Sequence, residues 1–206
     1  MRIAREGIPY IGVPVVLTLI LLALGYWYVA LLFALVAGFM AFFFRDPKRS
    51  PPTEPDVIVA PADGRVMRVS KLSADREDSA ILISIFLSPL NVHINRSPIA
   101  GRITEVTYTR GKFLIASDNN ASLVNEQNSL TIEGSRITVV CKQIAGILAR
   151  RIVCWKEKGE EVALGERFGL IKFSSRTDVI VPSNVEVLVE PGMKVKGGTT
   201  VIGRLI

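Results

Sequence analysis

The sequence predicts a mainly β fold, a sandwich- or barrel-like domain preceded by an N-terminal hydrophobic helical hairpin. Two observations carry that prediction. From Gly7 to Phe44 no side chain is charged, and beyond residue 56 short apolar alternations are broken repeatedly by Gly and Pro. Short strands between frequent turn residues read as an all-β sandwich or barrel. The 206-residue chain has room for one such domain and a small appendage.

The charge-free stretch is rich in Leu, Val, Ala, Phe and Tyr. A spanning helix needs about 20 apolar residues, so the run suffices for one generous span or two short ones. Gly25-Tyr26-Trp27-Tyr28 near its middle joins a helix-weakening glycine to aromatic residues typical of a membrane interface. A hairpin dipping through or into the bilayer is therefore expected. The run exceeds the roughly 7–15-residue core of a secretory signal and lacks a small-x-small cleavage site. Arg2 and Arg5 precede it, and Arg45, Lys48 and Arg49 follow. Positive flanks prefer the cytoplasm, so the expected location is the cell membrane, with the β domain on the cytoplasmic side.

Pro47, Pro51 and Pro52 mark a linker. The expected organisation is a membrane-associated segment over 1–44, a Pro-rich linker over 45–56 and a domain over 57–206. Within that domain 57–60 leads to the turn Pro61-Ala62-Asp63-Gly64, and 65–69 alternates with period two. Residues 80–86 form a continuous apolar run of strand length. Further strands are expected at 101–108, 130–132, 137–143, 147–155, 185–189 and 199–203. The two Gly-turn hairpins, around 63–64 and 192–198, resemble those of the lipoyl or biotinyl carrier sandwich. A carrier's modified lysine would have to be Lys194, which lies in the other hairpin of that pattern, so the likeness is architectural.

The net charge of +6 raises nucleic acid as a partner. No lysine-rich tail and no aromatic–basic interleaving support it, and basic residues beside a membrane segment more naturally meet anionic headgroups. No nucleic acid is expected. Cys141 and Cys154 lack metal-ligand spacing, so no metal is expected either. They read as a pair of buried reduced thiols suited to a cytoplasmic domain.

His93 is the chain's one histidine, and histidine alone has an unperturbed pKa near neutrality. It follows Ser88-Pro89-Leu90-Asn91-Val92, a segment that ends an apolar strand. Asp63 stands in a tight turn, where an aspartate ordinarily caps its own backbone. Ser174 and Ser175 follow Arg167-Phe168-Gly169-Leu170-Ile171-Lys172-Phe173. Acid, imidazole and hydroxyl are the parts of a nucleophile–base–orienter set.

Read together, these motifs resemble the short, membrane-associated branch of the phosphatidylserine decarboxylase family. The likeness runs from Phe43-Phe44-Arg45-Asp46-Pro47 through Pro61-Ala62-Asp63-Gly64 and Ser88-Pro89-Leu90-Asn91-Val92-His93-Ile94-Asn95-Arg96. It continues with Gly111-Lys112-Phe113, Asn125-Glu126-Gln127-Asn128, Gln143-Ile144-Ala145-Gly146 and Ala149-Arg150-Arg151-Ile152, and ends in 167–176.

The resemblance implies a pyruvoyl-dependent enzyme that processes itself. Asp63 would orient His93, and His93 would deprotonate Ser175, whose hydroxyl attacks the carbonyl of residue 174. Cleavage between 174 and 175 would give a large subunit, 1–174, and a small one, 175–206. The small subunit would be capped by a pyruvoyl cofactor formed from Ser175. Phosphatidylserine would then form a Schiff base with that group and lose carbon dioxide to become phosphatidylethanolamine. Asn91, Asn95, Arg96, Lys112 and Arg151, with Arg110 nearby, become candidates to hold the headgroup, though each also fits a solvated or structural role. Expected partners are phosphatidylserine, membrane lipid and the two subunits of the cleaved chain; a homo-oligomer stays open.

Two positions depart from the family pattern. Ser174 stands where glycine is common before the nucleophile, and attack by Ser174 itself would cut after Phe173. Ser-Arg following Phe-x favours Ser175. Leu90 stands where longer members carry another histidine. The same chemistry on an archaeal-type ether serine lipid, or a non-catalytic membrane-anchored sandwich module, are the alternatives.

Overall fold

The computed structural model describes residues 2–72, 80–116, 118, 120–147, 151–173 and 175–206. They fall into two units, residues 1–48 and 49–206. In the first, β1 (Arg2–Ile3) leads into α1 (Ile8–Ala23), α2 (Trp27–Phe43) and β2 (Arg45–Asp46), which pairs antiparallel with β1. Gly25 takes a φ of +80° between the helices, a backbone region open to glycine at no steric cost. Ala30 and Ala37 of α2 and Pro14 of α1 are buried, and small side chains let helices approach closely. Arg5–Ala23 is long and apolar enough to cross a membrane by length and composition, whereas α2 is apolar but shorter. The expected helical hairpin is present.

The second unit is built almost wholly from strands. They are β3 (Val57–Val59), β4 (Gly64–Lys71), β5 (Ala80–Leu87), β6 (Ile94–Arg96) and β7 (Gly101–Thr109). A single turn of helix, α3 (Ala121–Val124), precedes β8 (Gln127–Glu133), β9 (Thr138–Ala145), β10 (Ile152–Cys154), β11 (Glu161–Val162) and β12 (Arg167–Ile171). The last strands are β13 (Ser175–Pro182), β14 (Val185–Val187), β15 (Lys194–Val195) and β16 (Val201–Leu205).

One eight-stranded sheet runs β11-β7-β8-β9-β13-β5-β4-β15, with two three-stranded sheets, β10-β12-β6 and β14-β16-β3. Their shared core includes Ile58, Ile83, Ile85, Leu130, Ile132, Val139, Phe168, Val179 and Ile202. The two Gly-turn hairpins noted in the sequence meet directly, with Lys194 opposite Arg65 and Val195 opposite Gly64.

The mainly β expectation holds, and the differences have physical reasons. β6, β12 and β13 were not expected as strands. β13 is buried on nearly all of both faces, and a doubly buried strand does not alternate. Its two charges, Arg176 and Asp178, are hidden in one pair rather than displayed. Of the expected 147–155 strand only Ile152–Cys154 is formed, residues 148–150 lying outside the described ones. Cys141 is buried but Cys154 only half so, and both are free thiols; the expectation of two buried thiols holds for one.

Gly101 opens β7, and a Cβ there would collide with the backbone oxygen of Glu133. Gly101→Ala is therefore expected to cost about 1–3 kcal/mol, the usual range for overpacking. Thermal unfolding followed by circular dichroism reads this as a lower midpoint; an unchanged midpoint would show that β7 and the Glu133 turn can part freely.

Candidate active site

On β8, β9 and β13 the inward-facing row changes character at one height. It runs Ile132, Leu130, Asn128 along β8 and Val139, Cys141, Gln143 along β9. Along β13 it runs Val181, Val179, Thr177, Ser175, and all of these are buried. Asn128 is in register with Gln143, and Gln143 with Thr177, so a polar layer crosses three neighbouring strands. Asn128 Nδ2 donates to Gln143 Oε1 at 3.0 Å, and Gln143 Nε2 donates to Asn95 Oδ1 at 2.9 Å. Asn95 Nδ2 in turn donates to Thr177 Oγ1 at 3.1 Å. Buried amides of this kind are retained when their partners are supplied.

Ser175 stands one step above this layer, between Leu87 of β5 and Ala145 of β9. It is fully buried, and its Oγ has no hydrogen-bond partner among the described residues. An unpaired buried hydroxyl costs about 1–3 kcal/mol, so its retention at this position calls for a chemical reason.

His93 reaches the same step from the smaller sheet. Its carbonyl accepts from Ile171 N at 3.3 Å, extending the β6–β12 pairing, and Ile171 packs on Ala145 beside Ser175. His93 precedes Asn95 by two residues, as Ser175 precedes Thr177, and Asn95 and Thr177 are hydrogen-bonded. Side chains two apart on an extended chain share a face. His93 and Ser175 therefore lie at one height, directly above the polar layer.

The turn before His93 is built by its own residues. Asn91 Oδ1 accepts from Ser88 N at 2.9 Å and from Ser88 Oγ at 2.8 Å. His93 is buried, and its Nδ1 lies 3.0 Å from the carbonyl of Asn91. A carbonyl only accepts, so Nδ1 carries the proton and the basic lone pair of the neutral ring falls on Nε2.

Asp63 arrives at the same end of the sheet. Register runs Arg65–Phe86–Arg176 across β4, β5 and β13, which sets the 61–64 turn two strands from Ser175. Its Oδ2 accepts from Arg49 Nη2 at 2.8 Å, and its Oδ1 from Gly197 N at 2.8 Å. The turn is tied to β6 by Arg96 N, which donates to Pro61 O at 2.8 Å.

On the opposite face of β13, Arg176 and Asp178 form a pair only 2% exposed on each side. Arg176 Nε and Nη2 donate to Asp178 Oδ1 and Oδ2 at 2.6 and 3.1 Å, and Nη2 also donates to Ser84 Oγ at 2.8 Å. Breaking one side of a buried pair costs about 3–5 kcal/mol, so this contact pins the first residues of β13. Just upstream, Phe173 takes a φ of +58°, and such backbone in a non-glycine residue stores about 1–3 kcal/mol. Ser174 lies outside the described residues.

The other residues named from sequence divide by burial. Asn91 is committed to its turn and Asn95 to the polar layer. Arg96 is buried, with Nη1 donating to Gly165 O at 3.0 Å. Lys112 and Arg151 are exposed. The sequence motifs contained Asn128, Gln143 and Lys172 but assigned no role to them or to Thr177; Lys172 is buried just after β12. A polar residue at an inward position of an alternating strand was the available signal for Asn128 and Gln143. Burial pushes the thiols of both Cys141 and Cys154 up, which keeps them protonated and poor nucleophiles at neutral pH.

Residues 36–203 match the family model described as phosphatidylserine decarboxylase. A phosphatidylserine decarboxylase proenzyme of Symbiobacterium thermophilum is 48% identical, covering 98% of this chain and 95% of the relative. Proenzymes of the same name from Geotalea uraniireducens and Desulfotalea psychrophila are 42% and 39% identical. The matches cover 98% and 99% of this chain, and 96% and 97% of those proteins.

Replacing Gln143 by leucine strips Asn128 Nδ2 and Asn95 Oδ1 of their shared partner. The expected cost is about 1–3 kcal/mol for each buried orphan, seen as a lower denaturant midpoint with unchanged slope. An unaltered midpoint would show that the layer contributes nothing to stability.

Proposed function

The chain belongs to the phosphatidylserine decarboxylase family, and we propose that it is a self-processing enzyme converting phosphatidylserine to phosphatidylethanolamine and carbon dioxide at a membrane. The observation that carries this reading is the common height of His93 and the buried Ser175, whose Oγ has no partner among the described residues.

In the proposed maturation His93, its Nδ1 proton held on the Asn91 carbonyl, takes the Ser175 proton through Nε2. Neutral imidazole suits that task near neutral pH. The Ser175 oxygen attacks the carbonyl carbon of residue 174, and the acyl group passes from nitrogen to oxygen. Removal of the Cα proton of residue 175 then expels the ester carboxylate and cuts the chain, and water hydrolyses the dehydroalanine left at 175 to a pyruvoyl group, its nitrogen leaving as ammonia. Strain at Phe173, two residues from the nucleophile, is released by that cut and so favours it. Asp63 acts as a positioning residue, bracing with Arg49 and Gly197 the turn that is tied to β6 below His93.

A small, buried position without a competing hydrogen-bond partner among the described residues fits the pyruvoyl group. That group supplies a ketone that takes up the serine amine and draws electrons as carbon dioxide leaves, the part pyridoxal plays elsewhere. The exposed cations Lys112 and Arg151 are proposed to meet the headgroup's phosphate and carboxylate. Residues 1–44 associate with the membrane, 45–56 link, and 57–206 work from the cytoplasmic side. The subunits 1–174 and 175–206 stay together, because β13 pairs with β5 and β9, β15 with β4, and β16 with β3.

Denaturing electrophoresis and intact mass test the maturation. The purified chain is expected as two pieces, the smaller being 175–206 with a blocked N-terminus, and the two co-elute under native conditions. His93→Ala and Ser175→Ala are expected to stay whole, while Ser174→Ala still cleaves before residue 175. A chain that stays whole with lipid and detergent supplied, or normal cleavage of His93→Ala, would contradict the proposal. For turnover, mature protein releases carbon dioxide from phosphatidylserine in mixed micelles and Ser175→Ala does not; equal release by both would overturn it.

A further inference from the structure

Five exposed apolar side chains of the second unit gather at one end of its large sheet, apart from others such as Leu72, Leu188, Met193 and Ile206. Leu90 follows β5, Phe113 and Ile115 follow β7, Leu123 precedes β8, and Ile147 follows β9; their exposures run from 36% for Phe113 to 77% for Leu123. Strand register puts these loops on one rim. Ser175 pairs with Leu87 and Ala145, and Gln127 pairs with both Thr109 and Ile144, so all four strand ends meet where Ser175 begins β13. The opposite end of the same strands turns through Gly134-Ser135-Arg136, which is polar.

This apolar rim is held, not frayed. Asn125 fastens the loop that carries it: its Oδ1 accepts from Leu114 N at 2.9 Å, and its Nδ2 donates to Leu114 O at 2.9 Å and Ala145 O at 2.8 Å. Asn125 is 1% exposed. Buried polar anchoring of a loop whose apolar side chains face outward spends stability on exposure, which marks an interaction surface. The exposed cations Arg110, Lys112 and Arg151 stand on the same loops and outnumber Asp118 and Glu126. Apolar tips among cations match an anionic lipid interface.

We propose that this rim is a second lipid-docking surface, distinct from the N-terminal helices, seating the Ser175 end of the sheet on an anionic bilayer. It rests on the proposed decarboxylase reading, which it deepens. A headgroup can reach residue 175 only while its acyl chains stay in apolar surroundings, and the rim supplies those surroundings at the mouth of the site.

The test uses the full chain. A nitrobenzoxadiazole label on Leu123→Cys, in a Cys154→Ser background, is mixed with vesicles of phosphatidylcholine and phosphatidylglycerol carrying brominated acyl chains. The emission should shift to the blue and be quenched, while the same label on Ser135→Cys at the opposite end is not. The double variant Ile115→Glu, Leu123→Glu should self-cleave fully and decarboxylate dispersed short-chain phosphatidylserine normally, yet lose about tenfold or more on phosphatidylserine vesicles. An unquenched Leu123→Cys label overturns the proposal, including where sedimentation shows copies of the chain joined through this rim. So does vesicle turnover by the double variant equal to that of the unaltered chain. If the unaltered chain neither cleaves nor decarboxylates, the enzymatic reading fails, and the quenching result alone decides for or against docking.

Discussion

β13 is hydrogen-bonded on both sides, to β5 along its whole length and to β9 from Ser175 to Ile180. That double pairing fixes the height of Ser175 relative to every other strand of the sheet. One residue of slip would turn Ser175 and Thr177 to the outer face and bring Arg176 and Asp178 inward. Slip is opposed from both faces. Inside, Thr177 is tied to Asn95; outside, the Arg176–Asp178 pair closes over Ser84. The site is thus an end condition of a rigid strand rather than a property of a loop.

The same arrangement reconciles cutting a chain with keeping a fold. The proposed cleavage point lies at the mouth of β13, so the ladder bonds beyond the nitrogen of residue 175 are untouched by the cut. The two proposed pieces would remain joined by pairings in two different sheets. Beneath the polar layer the row of Leu130, Cys141 and Val179 belongs to the hydrophobic core. The positive φ of Phe173 lies on the N-terminal side of the proposed cut, outside the β13 ladder.

Much of this was legible in the sequence, and the limits have physical causes. The charge-free run and Gly25 located the helical hairpin, because lipid-compatible composition and a glycine turn are local properties. The alternations of 65–69 and 137–143 located strands for the same reason. β13 escaped because burial of both faces removes alternation, and its charged pair disguised it as a polar segment. His93, Asp63 and Ser175 could be named from their motifs, but their common height depends on cross-sheet register that no single segment encodes. The polar layer was hidden likewise: Asn95, Asn128, Gln143 and Thr177 lie on four strands, and each alone reads as an ordinary strand residue. Asp63 was expected to orient His93; its carboxylate accepts from Arg49 and Gly197, and the Asn91 carbonyl lies against the ring.

An experimental density map of the purified full chain across residues 172–178 reads the start of β13 directly. A break between 174 and 175 is expected, with residue 175 lacking its amino nitrogen and β13 still paired to β5 and β9 from Arg176 onward. An unbroken peptide through 174 and 175, or a break accompanied by loss of that pairing, would contradict that expectation.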